Sequence, residues 1–249
     1  MKNKVNQAVI LAGGRGERLR PLTDNMPKPM APINEIPFLD YSLNSIIKAG
    51  IKNILILVGY KAKVITDRYN NMKNINIKFS YGTEENQTGL RVLNAFDQLH
   101  EHFLLMYGDN YWPIEIDKMW SNYQQSQKKA STTVFSNKCG TGEYGHENNV
   151  VVSEGGVVVK YDKKRGTEIA NGVDIGYFLV AKESLNRDMS GNVSFEEDIL
   201  PQFIAQKQLG AYVTDAQYYY ITNMQSLKDF EVAAKTKNFS PLSQNYFGG

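Results

Sequence analysis

The stretch VILAGGRGERLRPLTDNMPKP, Val9–Pro29, decides how the rest of the chain is read. Val5 to Ala12 is a compact run of branched and apolar residues, the pattern of a strand buried on both faces. It stops at Gly13. Gly13, Gly14 and Gly16 allow positive φ and let the backbone approach a ligand with no side chain between. Successive exposed N–H groups in such a loop form an anion nest. Three arginines and a lysine follow the apolar run, so the segment is expected to be strand, glycine loop, helix, with cations around the loop. In open α/β sheets ligands bind beyond the carboxyl ends of the strands, where this loop lies. The order GGRGER lacks the G-x-G-x-x-G spacing, and no Gly-Lys-Ser or Gly-Lys-Thr closes it, which excludes a dinucleotide dehydrogenase fingerprint and a Walker loop. Taken alone, an ordinary glycine turn with exposed arginines is the lesser alternative.

The surrounding chain extends the pattern. FLDYSLNSIIKAGI has Leu39, Leu43, Ile46 and Ile47 at helical spacing and closes on Gly50. KNILILVGY reads as a second buried strand, AKVITDRYNNM as a short helix and NIKFSYG as a third strand. GLRVLNAFDQLHEHF is amphipathic, and FLLMYGDNYW is a fourth strand. Strand and helix alternate, the signature of an α/β fold with an open parallel sheet and helices on both faces. From about Lys129 the chain turns β-rich: KASTTVFSN, NVVVSEGGVVVKYDKK and VDIGYFLVAKE. A helix FEEDILPQFIAQ follows, in which Pro201 requires a bend or restart. GAYVTDAQYYYIT is a last strand and MQSLKDFEVAAKTK a last helix. Together these predict a Rossmann-like, mixed but mostly parallel central sheet with a β-rich second half. One domain is expected over residues 1–237, with 238–249 a loose C-terminal tail.

Composition narrows the function. The chain has 249 residues, 42% of them hydrophobic, enough for a substantial core. The net charge of +2 comes without a dense basic block, so no nucleic-acid footprint is expected. The single cysteine, Cys139, has no partner for an internal disulfide or a thiolate zinc site. The apolar run after Lys2 and Lys4 is too short for a signal peptide, and no stretch approaches a membrane span. A soluble, cytoplasmic protein with no membrane partner is expected, with self-association into a homo-oligomer left open.

The pairing of GGRGERLRPL with PKPMAP resembles the nucleotidyltransferases that join a nucleoside triphosphate to a sugar 1-phosphate. Their signature is a strand, G-G-x-G-x-R-L, then P-K-P. The resemblance implies nucleotide contacts from Leu11, Ala12, Gly13, Gly14, Arg15 and Gly16, with Arg18 and Lys28 neutralising the triphosphate. IKFSYGTEENQTGLRVLNAF is similar to the family's S-x-E-x-x-x-L-G-T-G-G-A stretch, which adds Glu84, Thr88 and Gly89 to the base and ribose side. Gln87, Leu90 and Arg91 depart from the small residues usual there. MYGDN matches a strand-end G-D, implying Asp109 as ligand of a Mg2+ cofactor. In GEYGHENNVVV, Gly145 takes the place of a sugar-contacting glycine. VVKYDKK resembles F-x-E-K, implying Lys164 as the sugar-phosphate lysine and putting Lys163 where a sugar-contacting glutamate is usual; the register with Lys163 as the functional lysine stays open. VDIGYFLV resembles N-A-G-I-Y, with Asp174 at the asparagine. Residues 1–128 are then the nucleotide-binding half and 129–237 the sugar-phosphate-binding half.

One departure concerns the metal. Where the family has D-I-G-T-P-E-x-L, this chain reads YITNMQSL, with Tyr220 at the position of the second metal aspartate. A phenol is protonated at neutral pH and a poor magnesium ligand. Either Asp174 or Asp215 compensates, or Asp109 works with waters and phosphates. The implied reaction is attack by a sugar 1-phosphate oxygen on the α-phosphorus, in line with departing pyrophosphate, giving an NDP-sugar. Chains of this size with VSFEED resemble the heptose 1-phosphate guanylyltransferases. Cytidylyl or uridylyl transfer to a hexose 1-phosphate or another phosphomonoester is the alternative, and a non-catalytic nucleotide-sugar sensor is the rival from another class.

Overall fold

The computed structural model describes residues 5–138 and 148–247. Its main sheet has seven strands, β1 (Gln7–Ala12), β2 (Asn53–Val58), β3 (Asn76–Tyr81), β4 (His102–Tyr107), β5 (Ala130–Phe135), β6 (Val173–Ala181) and β7 (Leu209–Thr214). The strand order is β7-β5-β6-β4-β1-β2-β3. β1–β2, β2–β3 and β5–β7 pair in parallel, and β5–β6 antiparallel with a bulge between Asp174 and Phe178. The expected mixed, mostly parallel α/β sheet is therefore present. The chain divides into two units: Val5, Gln87–Leu105 and the described residues of Glu115–Tyr218 form one, and Asn6–Asn86, Met106–Ile114 and the chain from Tyr219 form the other.

In the unit that carries the glycine loop, β1 is buried along its whole length and β2 along all but its first residue. Strands covered on both faces need unbroken apolar runs, which is why AVILA and ILILV are not alternating. Helices Phe38–Lys48 and Ala62–Tyr69 are tied together by Asp40, which is fully buried and accepts from Arg68 Nε at 3.1 Å, Arg68 Nη2 at 2.5 Å and Tyr69 Oη at 2.6 Å. Removing one partner of such a pair leaves a stranded charge, at about 3–5 kcal/mol. Helix Met224–Thr236 starts on a capping box, Asn223 and Ser226 each accepting from the other's backbone. It places Phe230 among Phe38, Tyr41, Tyr111, Tyr219 and Phe239, with Phe38 and Phe230 centroids 4.9 Å apart. Tyr219 of the tyrosine run thus serves as core. The closing segment is not loose: Leu242 is buried, Tyr246 O accepts from Lys73 N at 2.8 Å, Phe247 bridges Met72, and the Arg68 guanidinium sits 4.7 Å over the Phe247 ring. Two apolar groups that find partners outweigh the entropy of ordering a short polar stretch.

In the other unit, β6 is buried throughout and pairs with β5, and the hairpin Val150–Val152/Val158–Tyr161 leads into the Asp162–Thr167 turn. In the VSFEEDILP segment a π-turn, Phe195–Ile199, runs directly into helix Leu200–Ala205, and Pro201 lies where the π-turn gives way to the α-helix. Ser194 caps the π-turn, accepting from Glu197 N at 3.2 Å. Among the described residues no helix is long and apolar enough to cross a membrane.

Candidate active site

The glycine loop is followed by three short 3-10 turns, Glu17–Leu19, Leu22–Asp24 and Lys28–Met30, rather than the expected helix. Gly16 has φ +67°, and a Cβ there would lie 2.7 Å from Lys28 Cβ, so the lysine stem packs directly on bare backbone. Leu11 and Ala12 are buried at the end of β1, and Gly13 O accepts from Tyr60 N at 3.0 Å. Gly14 is exposed with open space above it. Thr23 Oγ1 donates to Gly16 O at 2.9 Å, while Tyr60 Oη reaches the carbonyls of Thr23 and Asp24 at 3.1 and 3.0 Å. Tyr60 is a clamp that the sequence reading missed; a tyrosine ending a strand carries no local signal of what its hydroxyl will reach.

At the end of β4, Gly108 N donates to Leu11 O at 3.0 Å, and a Cβ on Gly108 would stand 2.7 Å from that oxygen. This close backbone approach brings the next residue, Asp109, to the loop. Lys28 Nζ lies 2.5 Å from Asp109 Oδ2, with the two side chains 12% and 31% exposed. Arg18 is exposed and makes no ion pair among the described residues. Arg15 and Glu84, predicted separately, meet: Arg15 Nε donates to Glu84 Oε2 at 3.0 Å and Nη2 to Oε1 at short range. Glu84's hydrogen bond and charge raise the Arg15 pKa. The guanidinium carbon also stands 5.8 Å from the Tyr60 ring centroid.

The neighbourhood of Asp109 is defined within this unit. Tyr220 pairs with Asn110 in a two-residue ladder and Ile221 N donates to Asp109 O at 3.0 Å, so the position where a second carboxylate was expected does lie beside Asp109's strand, filled by a phenol. The two alternative carboxylates differ in setting, Asp215 exposed and Asp174 buried. Asp215 accepts from Ser136 Oγ at short range, and Asp174 is buried in β6, where it accepts from Thr132 Oγ1 at 2.5 Å and Gly176 N at 3.2 Å. No group of three or more His, Cys, Asp or Glu able to hold a metal occurs among the described residues. The donor set at Asp109, one hard carboxylate oxygen beside an anion-binding loop, suits magnesium, which keeps its waters and binds through one or two carboxylates plus substrate phosphates.

The remaining predicted residues lie in the other unit. Thr88 Oγ1 accepts from Phe195 N at 2.9 Å, and Gly89 packs so tightly that a Cβ would stand 2.8 Å from Val193 Cγ1. Gly145 lies outside the described residues. Asp162 organises the turn that carries both lysines: its carboxylate accepts from Lys164 N and Gly166 N at 3.0 Å each and from Thr167 Oγ1 at 2.6 Å. The Thr167 bond, ahead of the two amides, lowers its pKa despite some desolvation. Lys163 Nζ then lies 3.0 Å from Glu197 and 3.2 Å from Glu196, whereas the exposed Lys164 ammonium is in no ion pair among the described residues. Burial pulls the Lys163 pKa down, but the two glutamates outweigh it and the net direction is up. Glu196 also accepts from Tyr161 Oη at 3.2 Å. Burial, with Asp174 and Glu196 adding to it, drives the Tyr161 pKa far up. The sequence reading passed over Glu196 and Tyr161, although the acidic pair in FEED was the available signal. Desolvation raises the Asp174 pKa to about 7, against the Thr132 and Gly176 hydrogen bonds.

A family model described as nucleotidyl transferase matches residues 7–229. The chain belongs to the nucleotidyl transferase family. It is 27% identical over 215 residues, covering 85% of this chain and 91% of the relative, to a D-glycero-alpha-D-manno-heptose 1-phosphate guanylyltransferase of Aneurinibacillus thermoaerophilus. A protein of the same description from Campylobacter jejuni is 31% identical over 193 residues, 77% of this chain and 83% of that one. Among solved structures, HddC from Yersinia pseudotuberculosis complexed with GMP-PN aligns with a TM-score of 0.74 at 23% identity, over 90% of this chain and 97% of that chain, a likeness of fold. Membership of the family makes the chain an enzyme, a transferase of nucleotidyl groups.

Proposed function

We propose that the protein joins GTP to a manno-configured sugar 1-phosphate, a heptose 1-phosphate in the first instance, releasing pyrophosphate and a GDP-sugar in the cytoplasm. The reaction class, a nucleoside triphosphate plus a sugar 1-phosphate giving an NDP-sugar, is that of the family members it resembles over nearly its whole length. The observation that carries the reading is the contact of Lys28 with both the Gly16 backbone and Asp109, which puts a cation and a carboxylate at the mouth of an amide-lined loop.

The chemistry follows from charge. A phosphomonoester with a second pKa near ~6 is largely dianionic at neutral pH, so its oxygen attacks the α-phosphorus without a general base. The obstacle is the approach of two polyanions. The loop amides and the exposed Arg18 hold the triphosphate, Lys28 neutralises charge on the leaving pyrophosphate side, and Lys164 holds the acceptor's phosphate. Arginine offers a planar fork to two oxygens and lysine a mobile point charge. Mg2+ on Asp109 supplies further charge neutralisation when bound. Removing one of these cations is expected to cost on the order of 3 kcal/mol of transition-state stabilisation.

We read Glu84 as favouring guanine. Arg15 engages both its oxygens through parallel N–H donors, and guanine's adjacent ring N–H and exocyclic amine offer the same paired donors in exchange for the guanidinium. A uracil, thymine or cytosine edge does not present two such donors together. Pyrophosphate release with each of the four ribonucleoside triphosphates against mannose 1-phosphate and D-glycero-α-D-manno-heptose 1-phosphate tests the reading. The highest kcat/KM is expected with GTP. No turnover with any pair would overturn this reading of the substrates.

A further inference from the structure

Lys163 and Lys164 are neighbours in sequence with opposite circumstances. The Lys163 charge is offset by two carboxylates, at 3.0 and 3.2 Å, whereas Lys164 is exposed and in no ion pair among the described residues. A cation already neutralised twice over is a weak receptor for a phosphate dianion; what it does instead is fix the glutamates. Glu196 is held on both sides. Its Oε2 faces Lys163 Nζ at 3.2 Å and its Oε1 accepts from Tyr161 Oη at 3.2 Å. The elements beneath are hydrogen-bonded: Lys163 sits on the turn centred on Asp162, and Glu196 on a π-turn in which Glu197 N donates to Ser194 Oγ at 3.2 Å and Ser194 N to Asp198 Oδ2 at 2.7 Å. π-turns of this kind are frequent at functional sites.

An ionised carboxylate offers about four lone-pair sites. Two are used, and the Glu196 side chain remains 23% exposed, so it keeps acceptor capacity toward solvent. Its negative charge repels a phosphate, but its orientation is fixed for a hydroxyl donor, and hydrogen bonds to a charged acceptor are about twice as strong as neutral ones. We propose that Glu196 accepts a hydrogen bond from a ring hydroxyl of the sugar 1-phosphate, and that Lys163 is the positioning residue that aims it. This rests on the reading of the acceptor substrate as a sugar 1-phosphate.

The test is steady-state pyrophosphate release with GTP and with mannose 1-phosphate, D-glycero-α-D-manno-heptose 1-phosphate and the monodeoxy mannose 1-phosphates. Wild-type turnover is the control for the parent reading: no turnover with any sugar phosphate sinks that reading and the proposal together. With an active wild type, Glu196→Gln is expected to raise KM for the sugar phosphate about tenfold or more and leave KM for GTP unchanged. Lys163→Met should move the same KM in the same direction, and Lys163→Arg should restore it. One deoxy position that penalises the wild type should bring Glu196→Gln no further loss. An unchanged sugar-phosphate KM in Glu196→Gln, or deoxy penalties identical to wild type, overturns the proposal. Should Glu196→Gln not fold, Lys163→Met with Lys163→Arg as its control carries the same readout.

Discussion

Lys28 Nζ and Asp109 Oδ2 stand 2.5 Å apart although 81 residues separate them in the chain. The pair exists because two glycines remove the side chains that would hold it open: Gly16 beneath the lysine stem and Gly108 against Leu11 O. Lys28→Ala is expected to lower kcat/KM by about a hundredfold or more, on the order of 3 kcal/mol. Pyrophosphate release and circular dichroism together check that the loss is chemical and that the fold stays. Asp109→Asn should likewise lose activity, and its remaining rate should respond more weakly to added Mg2+ than the wild-type rate.

Gly108→Ala places a methyl 2.7 Å from a backbone oxygen. Backbone cannot rotate aside as a side chain can, so the variant is expected to lose about 1–3 kcal/mol in urea unfolding. Gly14→Ala, with nothing within 4 Å of the new carbon, is the matched control and should unfold within about 0.5 kcal/mol of wild type.

Asp174 makes stability depend on pH. Burial raises its pKa to about 7 in the folded protein, above the ordinary carboxylate value it has when unfolded. Between those values the native state binds more protons than the unfolded state, so stability is full in acid and falls as pH rises through about 7. The contribution from this group amounts to about 4 kcal/mol at most. Asp174→Asn, neutral at every pH, should gain stability relative to wild type between pH 5 and 8, and denaturant midpoints across that range would show a flat difference if burial were not the cause.

Glu84→Gln replaces two acceptors by one acceptor and one donor. It is expected to reduce kcat/KM for GTP about tenfold, with no comparable fall for UTP. The ratio of the two, measured with one sugar phosphate, reports base recognition separately from catalysis.

Truncation after Phe239 removes Leu242, Tyr246 and Phe247 from their partners. Leu242 is 3% exposed, and losing its burial alone costs about 2 kcal/mol. A Tm unchanged by the truncation would show that the closing segment contributes nothing to the fold.

How far the chain was legible differs from element to element. β1 and β2 could be read because AVILA and ILILV are long enough to be covered on both faces, and Gly13 ends the first of them. Asp109 was legible as a strand-end aspartate, since that depends on neighbours in sequence. The turns after Gly16 were not. Short 3-10 turns and helices share most of their local preferences, and it is the contacts of Lys28 and Tyr60 that select between them. The closing segment read as a loose tail because its partners, Met72, Lys73 and Asn44, lie far back in the chain.

By itself, then, the sequence determined the alternating α/β order, the glycine loop with its cations, and the family, because hydrophobic period and motif spacing are local quantities. Only the tertiary structure decided which charges meet. It paired Arg15 with Glu84 and Lys28 with Asp109, and it separated the engaged Lys163 from Lys164, which is in no ion pair among the described residues. Ion pairs depend on distances of a few ångströms between residues remote in sequence, and those distances follow from the packing of the strands and turns that carry them.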